Sequence, residues 1–249
     1  MSGAPRFPGG TAVSNLRVYG WEAADGLRGG TPHAHTASSE AYVVVSGGGE
    51  VHTVTPEGVA VDALAPGTVL WFGPGTVHRL VNHGGLEIVT VMQNAGLPEA
   101  GDAVLTFPRA VLADRAAYDA AARLSQEAPE EERAERARTR RDLAVEGYLG
   151  LVGAVRRDGG EALREFHRLA AEIVRPRVGA WREIWREGVE REVELTRRQL
   201  ASLERGDPGV MGEASVVRTE PLPGARHFGM CGRLRKRRPR APGGAAEEG

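Results

Sequence analysis

The chain has 249 residues, of which 34 are Gly, 5% are aromatic, 32 are basic and 33 acidic, for a formal net charge of −1. That length admits one large domain or a smaller domain with an extension, and the charge balance excludes a uniformly basic nucleic-acid binder and a highly acidic disordered chain. The balance conceals an asymmetry: residues 1–108 carry four arginines against nine acids, net −5, and the remainder carries 28 bases against 24 acids, net +4. A single cysteine, Cys231, can close no intrachain disulfide and build no all-cysteine metal cage. The first residues lack the apolar core of a secretory signal and no run of about 18 apolar residues occurs, so a cytoplasmic protein without a membrane partner is expected.

From Val13 to Gln93 the chain reads as short β-rich segments: Leu16–Trp21, Ala41–Val45, Glu50–Thr55, Val59–Leu64, Thr68–Phe72, Val77–Val81 and Leu86–Gln93. Breaks are expected at Ser46-Gly47-Gly48-Gly49, Pro56-Glu57-Gly58, Ala65-Pro66-Gly67, Gly73-Pro74-Gly75 and His83-Gly84-Gly85. Short strands at such spacing predict an all-β sandwich or barrel.

After Pro108 the composition turns to Ala, Glu, Arg and Leu, and helices are expected. One runs from about Arg109 to Leu124. A second begins near Pro129 with Glu130, Glu131 and Glu132 and ends near Arg156 and Arg157, the charge order that the helix dipole favours. A third starts near Glu161 and is kinked or broken by Pro176. Beyond it Val178, Trp181, Trp185, Val189, Val193, Thr196, Leu200 and Leu203 recur every three or four residues on one helix face. That stripe needs a partner, the barrel or a second copy, and the two tryptophans read as packing residues rather than a ligand-stacking pair. Residues 207–249, rich in Gly, Pro and charge, are expected to form a disordered basic tail. Its run Arg233 to Arg240 holds six bases in eight residues; without an accompanying DNA-reading motif or a short helix-turn-helix pair, nucleic acid is not the expected partner.

The most informative stretch is Pro32-His33-Ala34-His35-Thr36-Ala37-Ser38-Ser39-Glu40. In an extended segment residues i and i+2 share a side, so His33 and His35 can aim both imidazoles at one point, with Glu40 following a short turn. His78 lies just after the Gly73-Pro74-Gly75-Thr76 turn. Three imidazoles and a carboxylate suit a borderline divalent cation and can leave positions open. The spacing His33-x-His35-x4-Glu40-x6-Gly47 resembles the first cupin motif, and Gly67-x5-Gly73-x-Gly75-x2-His78-x3-Asn82 resembles the second. Over residues 13–95 the resemblance implies a jelly-roll barrel, followed here by an α-helical extension over 109–206, and one divalent metal ion (Fe, Mn, Zn or Ni) held by His33, His35, Glu40 and His78. Gly73 stands where the family usually has Pro, and Leu27 where a glycine is expected.

With Glu40 facing inward, alternation also sends Tyr42 and Val44 inward, and Leu80 and Asn82 share the side of His78. Tyr42 is a candidate hydrogen-bond donor or general acid, or an aromatic packing between strands. The scarcity of Arg and the absence of Lys in residues 1–108 favour a neutral or weakly charged small-molecule ligand over a phosphorylated sugar or polycarboxylate. The expectation is metal-dependent conversion of such a molecule, by oxygenation, isomerisation or lyase chemistry. A non-catalytic sensory or binding cupin is the alternative, and a regulator that places the basic tail on nucleic acid is a third reading.

Overall fold

A computed structural model describes residues 7–124, 127–235 and 237–239. The amino-terminal zone folds into seven strands: β1 (Ala12–Val18), β2 (His33–His35), β3 (Glu40–Thr55), β4 (Gly58–Leu64), β5 (Val69–Phe72), β6 (Val77–Met92) and β7 (Ala103–Leu105). All pairings are antiparallel. β6 lies between β3 and β1, β4 and β5 flank β3, and β2 bridges β6 and β7. The sheet encloses an apolar interior of Leu16, Val18, Tyr42, Val44, Val51, Leu80, Leu86 and Ile88.

Two expected breaks are continuous strand. Ser46 to Gly49 and His83 to Gly85 lie inside the 16-residue strands β3 and β6, where the paired register shifts between Val44 and Gly49. The glycines are there for close approach: Gly47 has φ +73° and a Cβ on it would stand 2.2 Å from the Gly85 backbone. Across this bulge the interior-facing positions of β3 change from even (Tyr42, Val44) to odd (Val51), while the buried Val54 faces the helical core.

The next segment forms α1 (Arg109–Leu112), α2 (Arg115–Ala122), α3 (Glu130–Asp158), α4 (Glu161–Val174), α5 (Val178–Trp185) and α6 (Arg191–Glu204). The first expected helix is split by Asp114, whose carboxylate caps α2 through the amides of Ala116 and Ala117. Pro176 sits in one tight turn, Arg175–Arg177, between α4 and α5. A second core joins the outer side of the sheet to the helices, from Ala34, Val54, Val77 and Leu105 to Tyr148, Phe166, Ile173 and Trp181. The long stripe is only partly used. Trp181 is buried and donates to the Ala100 carbonyl at 3.1 Å, whereas Trp185, Val193, Leu200 and Leu203 are exposed. No helix among the described residues is long and apolar enough to cross a membrane.

The tail departs from the expected disorder. Thr219–Pro221 (β8), His227–Phe228 (β9), Gly232–Arg235 (β10) and Arg237–Pro239 (β11) are strands; β8 pairs with β11, and β10 extends the barrel sheet by pairing Val18 with Gly232 through Asn15 with Arg235. The physical reason is a short alternation, Arg233-Leu234-Arg235, that the charge of the run conceals: Leu234 packs on the interior cluster and the arginines face outward. Gly232 permits the approach, since a Cβ there would stand 2.0 Å from the Arg17 carbonyl oxygen. Arg233 pairs with Glu130, Arg235 donates to the Gly224 carbonyl, and Arg237 donates to Thr219 and Asn15, so these three bases of the run are engaged within the chain. Lys236, Arg240 and residues 241–249 lie outside the described residues.

Candidate metal centre

The three-residue strand β2 carries His33 and His35 inward on either side of Ala34, which faces the helical core. His33 is the direct cross-strand partner of His78 on β6, and Glu40 opens β3. One ligand atom from each of His33, His35, Glu40 and His78 falls within a 4.8 Å span, and all four residues are buried. Glu40 Oε2 lies 3.4 Å from His35 Nε2 and 3.2 Å from His78 Nε2, yet neither Glu40 Oε2 nor His78 Nε2 makes an aligned hydrogen bond.

The other nitrogen of each ring is directed at an oxygen. His33 Nδ1 donates to the Thr31 carbonyl at 2.9 Å and His78 Nδ1 to the Thr76 carbonyl at 3.1 Å. A carbonyl only accepts, so both Nδ1 atoms carry a proton, and in the neutral rings it is Nε2 that offers a lone pair to the cluster. His35 Nδ1 faces Asp102 Oδ2 at 3.3 Å. This is the arrangement in which outer partners fix the tautomer of metal-ligating imidazoles. Asp102 was not among the residues expected from sequence. It is buried, and its Oδ1 accepts from the amides of Thr36 at 2.9 Å and Ala37 at 2.7 Å and from the Thr36 hydroxyl at 2.7 Å.

The electrostatics follow from this packing. Burial, reinforced by His78 and His35, holds His33 well below the ordinary histidine pKa, leaving a neutral imidazole. Burial also opposes the charge on His35, but Asp102 and Glu40 outweigh it and push its pKa up to about 9. Glu40 is held below the usual carboxylate range because its contacts to His35 and His78 exceed the cost of burial. Asp102, lowered to about 2, likewise overcomes burial through His35 and the Thr36 donors. Burial and the nearby Glu40 carboxylate raise both Tyr42 and Cys231, so the phenol and the thiol stay protonated.

A cavity of about 460 Å³ opens on the cluster, lined by His33, His35 and Glu40 at its floor and by Ser14, Leu16, Thr90, Met92, Pro98 and Ala103 on its sides. Its remaining wall is Glu99 and, from the tail expected to be disordered, His227, Phe228, Met230, Cys231 and Leu234. This wall is clamped. The Gly229 carbonyl accepts from Tyr19 Oη at 3.1 Å and Arg140 Nη2 at 2.7 Å, while the Tyr19 amide donates to the Cys231 carbonyl and the Thr31 amide to the Met230 carbonyl, both at 3.1 Å.

Of the residues expected beside the ligands, Tyr42, Val44 and Leu80 face inward as strand alternation implies. They are in the barrel interior beneath the cluster and are not part of the cavity lining, and the Tyr42 hydroxyl has no hydrogen-bond partner. Asn82 is a clamp: its Nδ2 donates to the Val18 carbonyl at 3.0 Å, and its Oδ1 accepts from the amides of Gly84 at 2.9 Å and Leu86 at 3.2 Å. Arg79, next to His78, turns the other way into a buried bidentate pair with Asp25.

An antiparallel barrel sheet with three imidazoles and one carboxylate clustered beside a cavity defines a β-barrel domain built around a candidate metal centre. Residues 22–117 match the family model described as Cupin, and the barrel is a cupin domain. No curated protein matches the chain. Among solved structures it is similar to a double-stranded β-helix protein of Klebsiella pneumoniae (22% identity, 33% of this chain and 64% of that one, TM-score 0.26). It is also similar to the oxalate decarboxylase of Bacillus subtilis (20%, 33% and 20%, 0.29) and to a TDP-fucose-3,4-ketoisomerase of Campylobacter jejuni (12%, 36% and 64%, 0.29). The chain spans under two thirds of each of these three proteins.

Proposed function

We propose that the barrel is a metal-dependent enzyme that converts a neutral or weakly charged small molecule by oxygenation, isomerisation or lyase chemistry. The observation that carries this reading is the convergence of lone pairs from tautomer-fixed imidazoles and an unpartnered carboxylate oxygen on one buried point that faces a cavity. His33, His35, Glu40 and His78 would hold one divalent ion, and a catalytic rather than structural site is favoured because the floor opens on the cavity. When bound, the ion supplies Lewis acidity toward a substrate oxygen and, if it is a redox metal, electron transfer.

The residues around it set what enters. Among the described residues no Arg or Lys lines the cavity, and the positive charge that His35 carries is already matched by Glu40 and Asp102, so an anion finds little to pair with there. Leu16, Met92, Phe228, Met230 and Leu234 offer apolar surface, and the Ser14 and Thr90 hydroxyls, 2.6 Å apart, offer one polar handle. Asp102 Oδ2, 3.3 Å from His35 Nδ1, favours a proton on that nitrogen, so Nε2 would be the atom freed for an ion once the ring is neutral.

Elemental analysis of protein purified without a metal-affinity tag tests the reading. Near-stoichiometric Fe, Mn, Ni or Zn is expected, and loss of that metal in a folded His35→Ala variant; metal-free wild-type protein after reconstitution would overturn it. Turnover of candidate substrates by the reconstituted protein separates the enzyme from a binding-only barrel. A homodimer through the exposed Val193, Leu200 and Leu203 remains part of the proposal, and a monomeric mass by light scattering at micromolar concentration would count against it.

A further inference from the structure

We infer that His167, on the helical extension, is a positioning residue for the metal centre. The inference rests on the reading that the His/Glu cluster binds a divalent ion, and it concerns how that cluster is held.

The turn from Gly73 to Thr76 connects two of the ligands. The Gly75 amide donates to the His35 carbonyl at 2.8 Å, and the Thr76 carbonyl accepts from His78 Nδ1 at 3.1 Å. A change in this turn therefore moves a ring orientation on β6 and a backbone position on β2 together. The turn itself is poorly restrained by its own residues. Gly73 and Gly75 bracket Pro74, Gly75 has φ +85°, and the one internal hydrogen bond, Thr76 amide to Gly73 carbonyl, is long at 3.3 Å.

The missing restraint arrives from outside the barrel. His167 Nε2 donates to the Gly75 carbonyl at 2.8 Å, across 92 residues of sequence, and the ring packs so closely that a Cβ on Gly75 would stand 3.3 Å from Nε2. The Gly75 peptide groups are thus gripped from both sides, by β2 through the amide and by α4 through the carbonyl. The grip is rigid because α4 is rooted by Leu163, Phe166, Ala170 and Ile173, all buried against the outer face of the sheet. An imidazole held on a packed helix positions an oxygen that a solvent-facing turn would leave to water.

The test compares wild-type protein with His167→Ala, His167→Gln and, as a packing control on another helix, Val145→Ala in α3, where Val145 is buried. Each is titrated with Zn²⁺ against a chromophoric chelator, and Co²⁺ is loaded to read its d–d absorption. His167→Ala is expected to bind Zn²⁺ about three- to tenfold more weakly, the scale of one hydrogen bond, and to shift the Co²⁺ bands. The amide nitrogen of His167→Gln restores most of the affinity, and Val145→Ala lowers the thermal midpoint while leaving Zn²⁺ affinity within about twofold of wild type. Should His167→Ala not fold, His167→Leu, which keeps bulk against the turn, carries the same outcomes. If wild type binds Zn²⁺ and the His167→Ala variant matches it in affinity and Co²⁺ spectrum, or if Val145→Ala weakens binding equally, the positioning role is overturned while the metal reading stands. If wild type takes up neither ion, both fall.

Discussion

Asn82 offers the sharpest separation between a pocket residue and a structural one. Its carboxamide joins the end of β1, through the Val18 carbonyl, to the Gly84 and Leu86 amides inside β6, with three aligned bonds of 3.0, 2.9 and 3.2 Å. Asn82→Ala deletes all three, together with a longer bond to the Tyr19 carbonyl at 3.4 Å, and leaves four backbone groups in a largely buried place. At about 0.5–1.5 kcal/mol net per bond, the loss is about 3 kcal/mol, a large share of the stability of a typical domain. Asn82→Asp is isosteric and keeps the two accepted bonds, but it turns an anion toward the Val18 carbonyl, which raises the folded-state pKa of the new carboxyl above its unfolded value. The sign follows: the penalty is present at pH 7 and is relieved as pH falls through that raised pKa, because the protonated oxygen can donate. Urea denaturation of metal-free protein, wild type and variants at pH 7 and pH 5, reads both effects as differences from wild type at the same pH. The reasoning is refuted if Asn82→Ala costs less than about 1 kcal/mol, or if it leaves stability intact and abolishes metal binding.

Asp25→Asn should destabilise by about 3–5 kcal/mol, since it leaves the Arg79 guanidinium buried beside a neutral amide. In the wild type the Asp25 carboxyl is lowered by Arg79 against the cost of its burial, so the pair's contribution is whole above the ordinary carboxylate pKa and disappears as pH falls through the lowered value; a flatter acid limb in the Asn variant checks it. Gly47→Ala should abolish soluble expression or lower the thermal midpoint far more than Gly26→Ala, because both glycines have positive φ but only Gly47 faces backbone at 2.2 Å. Iodoacetamide at pH 8 should alkylate Cys231 at least about a hundredfold more slowly in the folded than in the unfolded chain, since burial raises its pKa and limits access; comparable rates would place the thiol outside the core.

The four candidate ligands were legible because their geometry is local: two histidines on one strand face, a carboxylate after one turn, and a histidine behind a glycine turn. What the sequence concealed acts at a distance. Asp102 reaches the Thr36 amide across 66 residues, His167 reaches Gly75 across 92, and Cys231 lies 3.9 Å from His33 Nδ1 across 198. No periodicity encodes such meetings, which exist only once β7, α4 and β10 are docked. Glycine was the other source of error. Gly47 to Gly49 and Gly84-Gly85 signal either a turn or a close approach of two backbones, and only the pairing of β3 with β6 decides for the second. In the tail, net charge hid an alternating strand, just as the inward face of β6 contains an asparagine that serves the backbone instead of a ligand.

The strand that walls the cavity also fixes an order of assembly. Its docking closes a loop of nearly two hundred residues, and such closure adds only slowly to the free-energy cost of folding as the loop lengthens, while contacts so remote in sequence form late. The β2–β3–β6 unit that bears all four ligands is formed within residues 33–92 and has no such wait. An ion captured there would meet an open cleft, and the later arrival of Met230 and Cys231 would turn that cleft into a recess. Metal uptake should therefore be fast during refolding and slow to reverse afterwards.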